Sequence, residues 1–287
     1  MSSTTATVSP SHRYTHLPLD EQLETQGVRQ FELDIHYHTN DGFQVFHIPG
    51  LDAETTCLQL TECMQTIKNW SDQNPHHMPI MTWFELKDDI DSLGPELESL
   101  EGRYTAFEDA VLEVWPRERI VTPDEVRGSS DTLAEAITTH GWPTLGAMRG
   151  RIVFALLEDG VHREQYLDGA PTLENRLFFV GASSPEDPYA AVFKINDARG
   201  ESERVAELIS QGFSVTCNTD SADASDADNA DKLAGSLASG VSFLSSDRPG
   251  PIEDIDYWFD LPGGEPARCN PVHAPETCTS ADIETEP

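Results

Sequence analysis

The stretch "FELDIHYHTNDGFQVFHIPG", residues 31–50, carries the pattern from which the fold is read. Phe31, Leu33 and Ile35 alternate with Glu32, Asp34 and His36, the period of a strand with one apolar side and one polar side. Asn40, Asp41 and Gly42 form a turn signal, and "FQVFHI" returns as an extended piece. Two acids two positions apart share one face of the first strand, and His47 follows the turn.

Working outward, short apolar runs recur along the chain. "MPIMTWFEL" is followed by "RIVFALLE", "LFFVGA", "AAVFKI", "FSVTCN" and "VSFLSS". Helical patterns lie between them. Residues 53–70 place Leu58, Leu60, Met64, Ile67 and Trp70 at roughly helical spacing. "TPDEV" (122–126) is a helix start with Pro123 in its first turn, and residues 201–212 form another helical segment. Nearly continuous apolar strands alternating with helices predict a parallel sheet covered on both sides. Seven strands are counted, starting at 31, 80, 151, 177, 190, 213 and 241. The expected fold class is α/β, a (β/α)8 TIM-type barrel, which needs eight strands. Only "TATV" at 5–8 is available as the first, so that strand is expected to be incomplete or lacking. One barrel domain is expected over 1–287, with a poorly ordered start at 1–13 and an extended tail at 262–287. The acidic segment "DSADASDADNADK" (220–232) lacks the glycine and closing glutamate of an EF-hand loop and is expected to be a solvated loop.

The formal net charge is −33, and only four of the eighteen basic residues are lysines. Such a charge disfavours nucleic acid and flat docking on an anionic membrane. It fits a solubilising surface or an acidic site that collects cations. No apolar run is long enough to span a bilayer, and the first residues show no signal-peptide pattern. Among the five cysteines, neither Cys57/Cys63 nor Cys269/Cys278 has the CxxC spacing of a zinc site. Two short-loop disulfides with Cys217 free is the preferred count, which places the chain in an oxidising compartment, extracellular or periplasmic. Five buried thiols in a cytosolic protein is the alternative.

In a parallel barrel, catalytic side chains come from the C-terminal ends of strands. Glu32 and Asp34 on the inner face repel each other unless a cation sits between them. Glu85, near the end of the next strand, is placed to complete the cluster. Oxygen ligands favour one Ca²⁺, with Mg²⁺ second, over zinc. Lys87 can offer a point charge to a phosphate, and His47 beside a metal can act as general acid or base. Metal, histidine and lysine together suit phosphodiester cleavage. His36 and His38 share the acidic face by parity and are expected at a solvated strand end.

"GVRQFELDIHY", "GFQVFHIPGLD", "TTCLQLTECMQTIKNWSDQNPHHMPI", "FELKDD", "VTPDEVRG", "GWPTLGAMRGRIVFALLE", "LASGVSFLSSDRP" and "RCNPVHAPETC" occur in this order. As a set, running from about residue 14 to about residue 283, they resemble the calcium-dependent phosphoinositide phospholipase C family of bacteria and fungi. The resemblance implies an incomplete barrel that cleaves inositol phospholipid to diacylglycerol and a cyclic or free inositol phosphate. It implies calcium on Glu32, Asp34 and Glu85, with His47 as the second catalytic histidine. It also implies that Cys57 and Cys63 pair, as in exported members. The family's first strand ends close to "GSHNSYH", which supplies a catalytic histidine and an asparagine ligand. Here the candidate is "PSHRYTH", where His12 takes the histidine position but Arg13 replaces the asparagine. A cation does not ligate a cation. "YTHLPLDEQL" matches better the family segment after the first strand, so that strand and its two functional residues are expected to be missing from this chain.

Two other functions compete. A glycerophosphodiester phosphodiesterase shares "ELD…DG…VFH", but its opening "HRG" and following "PENT" are absent here. A barrel that binds calcium or a lipid headgroup without turnover is motivated by the missing first histidine. The expected partner is a phospholipid or inositol phosphate, reached by a monomer through peripheral membrane contact. The scarcity of basic residues favours an unphosphorylated headgroup.

Overall fold

The computed structural model describes residues 16–50, 52–88, 96–221, 224–251, 257–262 and 266–284. The expected strand at 5–8, the unordered start at 1–13 and His12 lie outside the described residues.

The chain enters through a short helix, α1 (Leu19–Thr25), which buries Leu19, Gln22 and Leu23. Strand β1 (Gln30–His38) and strand β2 (Gly42–Val45) form the hairpin read from the sequence, with Ile35 opposite Val45 and His38 opposite Gly42. Helix α2 (Leu60–Gln73) leads to β3 (Ile80–Leu86). Its start lies well after residue 53. Gln59 and Glu62 exchange capping hydrogen bonds there, and a disulfide ties Cys57 to Cys63. A two-residue strand, β4 (Leu97–Glu98), pairs with the end of β1. Four helices follow: α3 (Tyr104–Leu112), α4 (Pro123–Arg127), α5 (Leu133–His140) and α6 (Leu145–Met148). At α4 the Thr122 hydroxyl accepts from the Glu125 amide and Pro123 opens the helix, as the "TPDEV" pattern predicts.

The second half alternates β5 (Ile152–Leu156), α7 (Gly160–Leu167), β6 (Phe179–Val180), β7 (Val192–Ile195), α8 (Ser202–Ser210), β8 (Ser214–Asn218), α9 (Asp226–Ser239) and β9 (Phe243–Ser245). Strands β1, β3, β5 and β6 are neighbours and parallel, as are β7, β8 and β9. A parallel bridge between Gly181 and Val192 joins the two sets. All seven predicted strands are therefore present, in sequence order.

Register sorts the side chains into two faces. Leu33, Phe84 and Leu156 lie on the outer face, where Phe84 packs against Phe107, Phe154 and Phe178. Gln30, Glu32, Asp34, Trp83 and Glu85 lie on the other face. Contacts from that face link the two sets of strands. Thr216 of β8 donates to Gln30 Oε1 (2.9 Å) and accepts from Trp83 Nε1 (3.3 Å), and Lys194 of β7 pairs with Glu32. β9 lies close to β1. Among the described residues no strand pairs with the outer edge of Gln30–Leu33. A cleft of about 1230 Å³ runs along that seam.

The acidic segment is not a loop throughout. α9 begins inside it, with the Ser225 hydroxyl accepting from the Asp228 amide. Asp226 and Asp228 occupy the first turn, where negative charge complements the helix dipole. The run of aspartates read as solvated coil is partly a helix start, and Asn229 and Lys232 are buried against β8 and its exit.

A second disulfide joins Cys269 to Cys278, while Cys217 is free and buried. Burial pushes the Cys217 thiol up to about 12. The tail residue Glu284 is anchored by Arg29 at the start of β1.

Candidate active site

β1 presents Glu32 and Asp34 to the cleft, and β3 adds Glu85 directly opposite Asp34. The three acids expected together thus line one cavity. Asp34 and Glu85 share one cation. Lys87 Nζ is 3.0 Å from Asp34 Oδ1 and 2.7 Å from Glu85 Oε1. The Lys87 backbone is fixed because its amide continues the ladder to Ile35 O (2.9 Å). Burial raises the Asp34 carboxyl to about 6, with the Glu85 charge adding to burial and Lys87 opposing it. Burial works against the Lys87 charge, but the hydrogen bonds and charges of Glu85 and Asp34 outweigh it and hold its pKa above the ordinary value. Glu32 has its own counterion, Lys194.

With lysines seated on the carboxylates, no three His, Cys, Asp or Glu side chains among the described residues converge into a ready metal cage. The donor chemistry still fits a hard divalent cation. Glu32, Asp34 and Glu85 all offer oxygen donors, they line one cleft, and a positive charge already stands between Asp34 and Glu85.

His47 also lines the cleft. Its Nδ1 lies 2.9 Å from Asp52 Oδ2. The loop between them is closed by reciprocal backbone hydrogen bonds between Ile48 and Asp52 (2.9 and 2.8 Å), and Gly50 supplies a positive φ of 74°. Sequence reading missed Asp52. The available signal was a carboxylate five residues after the histidine across a Pro-Gly turn.

His36 does not meet solvent. It is 1% exposed and stacked on Phe46 at 4.0 Å, and its Nε2 lies 3.2 Å from His47 O. Burial lowers its pKa. An imidazole covered by an aromatic ring supports the strand that delivers His47, so parity alone misplaced it. His38 is half-buried beside Asp41 (3.0 Å) and Glu96 (3.3 Å).

Glu158, just past β5, is another carboxyl not singled out from the sequence. Its Oε1 accepts from the Leu86 amide (2.5 Å). Burial pushes it up to about 8, the Leu86 bond opposes this, and the charges of Glu85 and Asp159 add to it.

Comparison with known proteins supplies a family and a fold. The family model for Ca2+-dependent phosphoinositide phospholipase C matches residues 37–271. No curated protein matches the sequence. Among solved structures, a calcium-dependent phosphoinositol-specific phospholipase C from a Gram-negative bacterium, Pseudomonas sp, in apo form, is 19% identical with a TM-score of 0.59. The match covers 79% of this chain and 82% of that one. The myoinositol complex from the same source is 18% identical over the same shares, with a TM-score of 0.57. A Ca+2 dependent phosphatidylinositol-specific phospholipase C from Streptomyces antibioticus is 16% identical, covering 79% of this chain and 87% of that one, with a TM-score of 0.59. At these identities the structural likeness establishes a shared fold, and the family match reaches further. With carboxylates and a histidine brought to one cleft and that match spanning most of its length, the chain belongs to the calcium-dependent phosphoinositide phospholipase C family.

Proposed function

We propose that this chain is a phospholipase C that cleaves phosphatidylinositol-type lipid between phosphorus and the glycerol oxygen. The products are diacylglycerol and an inositol phosphate, cyclic or free. The observation that carries this reading is the gathering of Glu32, Asp34, Glu85 and His47 on one cleft in a member of this family. Glu32, Asp34 and Glu85 hold one Ca²⁺, and Mg²⁺ fits the crowded carboxylates less well because it demands stricter geometry. When bound, the ion offsets negative charge on the phosphoryl oxygens and lowers the pKa of the attacking hydroxyl. His47, oriented by Asp52, exchanges a proton with the reacting oxygens. Lys87 supplies a point charge to the phosphate from the same rim.

The strand order supports an incomplete barrel of seven parallel strands with its seam between β1 and β9. The domain is single, and the tail residue Glu284 is held against it by Arg29. The cleft also holds Asp52, Glu54 and Asp247, and of its three cations, Arg29, Lys194 and Arg268, the first two are paired with carboxylates. That balance favours an unphosphorylated headgroup. The two disulfides support an oxidising compartment. No described helix is long and apolar enough to cross a membrane, and lipid is met peripherally by a monomer.

The test is cleavage of phosphatidylinositol vesicles with calcium and with chelator. Calcium-dependent diacylglycerol release, lost in Asp34→Asn and Glu85→Gln together with calcium binding by calorimetry, is the expected result. Release of glycerol 3-phosphate from glycerophosphoinositol instead would favour a glycerophosphodiesterase. Calcium binding without turnover would identify a binding protein.

A further inference from the structure

The ladder between β1 and β2 ends at the residues that carry the site. His36 stands opposite Gln44 and Ile35 opposite Val45, and the Phe46 amide still reaches Asp34 O (3.3 Å). His47 is the next residue. Its ring is met at Nδ1 by Asp52, but its main chain is met by His36, whose Nε2 lies 3.2 Å from His47 O. The donor there is the imidazole N–H, because a carbonyl only accepts. Phe46 lies two residues beyond Gln44 and is the diagonal neighbour of His36 across the hairpin. Its ring covers the imidazole face to face, with centroids 4.0 Å apart and planes 7° apart. His36 is buried, and its other nitrogen, Nδ1, has no hydrogen-bond partner among the described residues. A phenylalanine or leucine would fill the same space without leaving a buried nitrogen unpaired, so packing alone does not account for a histidine here.

We propose that His36 is a positioning residue that fixes His47 relative to the acids, by tying the His47 main chain to the strand on which Glu32 and Asp34 stand. The proposal rests on the phospholipase reading above. Asp34 and His36 are two residues apart on β1, so their side chains leave the strand on one face. Asp34 in turn stands opposite Glu85 on β3. The contacts of Ile48 and His47 with Asp52 close the loop on itself and give it its shape. The bonds from Phe46 to Asp34 and from His36 to His47 join that loop to β1. The first holds the residue before His47, and the second holds His47 itself. With the Phe46 ring stacked on it, the imidazole has little freedom to let the carbonyl drift. A displacement of about 1 Å between reacting groups can cost about 10²-fold in rate, which is the scale on which such a tether acts. His36 touches no substrate and carries no proton in this scheme. It acts through the His47 carbonyl, as Asp52 acts through the His47 ring.

The experiment separates the ring from its hydrogen bond in the full chain. His36→Phe keeps an aromatic ring against Phe46 and removes the donor. His36→Gln gives up the ring and keeps an N–H that can reach the His47 carbonyl. On phosphatidylinositol vesicles with calcium, His36→Phe should lower kcat by about 10–10²-fold and leave KM within about twofold of the parent. His36→Gln should turn over faster than His36→Phe. Melting temperature and calcium affinity should stay near parental values in at least one of the two. In NMR spectra the His47 ring signals should move in His36→Phe and stay close to the parent in His36→Gln. A kcat of His36→Phe within about threefold of the parent overturns the proposal. So does a deficit carried by KM alone, a His36→Gln no faster than His36→Phe, or a deficit accompanied in both variants by lost folding or calcium binding, which would make His36 a packing residue. A parent that turns over no phosphatidylinositol defeats the phospholipase reading instead. The His47 ring signals then decide the tether by themselves, and signals unchanged in His36→Phe reject it.

Discussion

Asp34 and Glu85 stand opposite each other across the β1–β3 ladder, bridged by the Lys87 ammonium at 3.0 and 2.7 Å. The lysine supplies the positive charge that two facing carboxylates require. Its removal exposes their repulsion. Lys87→Met should cost about 1 kcal/mol without calcium, a modest figure because the groups are partly solvated. Calcium should then raise the melting temperature more in the variant than in the parent, as the ion replaces a charge now missing. Scanning fluorimetry with calcium and with chelator measures both. Equal calcium shifts in the two proteins would argue against a shared position for the lysine and the ion.

The Asp52 carboxylate acts through His47 rather than on substrate. Asp52→Asn keeps the shape of the loop closed by Ile48 but removes the charge from Nδ1. Turnover of phosphatidylinositol should fall by about 10²-fold with KM nearly unchanged, because proton transfer and not binding is impaired. The double variant with His47→Ala should be no slower than His47→Ala alone, since the two residues work as a unit. Steady-state kinetics of the four proteins decides this. Additive losses would give Asp52 a separate role.

Much of the fold was legible because buried parallel strands need apolar runs. "RIVFALLE" could be little else, and β5 is buried along its whole length. The Glu32/Asp34 pair was legible because strand parity is strict, and Glu85 because it ends the neighbouring parallel strand. The rest failed for identifiable reasons. Lys194 and Glu32 are 162 residues apart, and no local pattern records their pairing. His36 obeys the same parity as the acids but is roofed by Phe46, a tertiary contact. The aspartates at 226 and 228 looked like coil because acids are common both in loops and in first helical turns, and only the Ser225 cap separates the two.

Arg29 ties the segment before β1 to the tail residue Glu284. Its guanidinium lies 4.6 Å from the centre of the Trp70 ring and donates to Leu23 O (2.8 Å) and Val28 O (2.7 Å) as well as to Glu284. Glu284 also accepts from the Met78 amide (3.2 Å). Glu284→Ala strips a largely buried guanidinium of its counterion, which should cost on the order of 1–3 kcal/mol. Hydrogen exchange should quicken across 266–284 while the strands keep their protection. Unchanged exchange in the tail would show that the Cys269–Cys278 disulfide and its local contacts hold it without Arg29.

Glu158 gives the chain a stability that depends on pH. Its carboxyl titrates at about 8 when folded, against 4.5 ordinarily, chiefly because it is buried. Between those values the folded state holds a proton that the unfolded state has lost, so stability falls as pH rises through the window. Asp34, raised from 3.8 to about 6, adds the same sign over the lower part of the range. With chelator present to keep metal out, denaturation midpoints should therefore decline from pH 5 to pH 8. Glu158→Gln, which cannot ionise, should flatten the upper part of that decline, from about pH 6 to 8, and be more stable than the parent at the alkaline end. A parent whose stability is flat or rising over pH 6–8, or a variant that keeps the parental slope there, would place the Glu158 carboxyl in a more hydrated setting than the contact with the Leu86 amide implies.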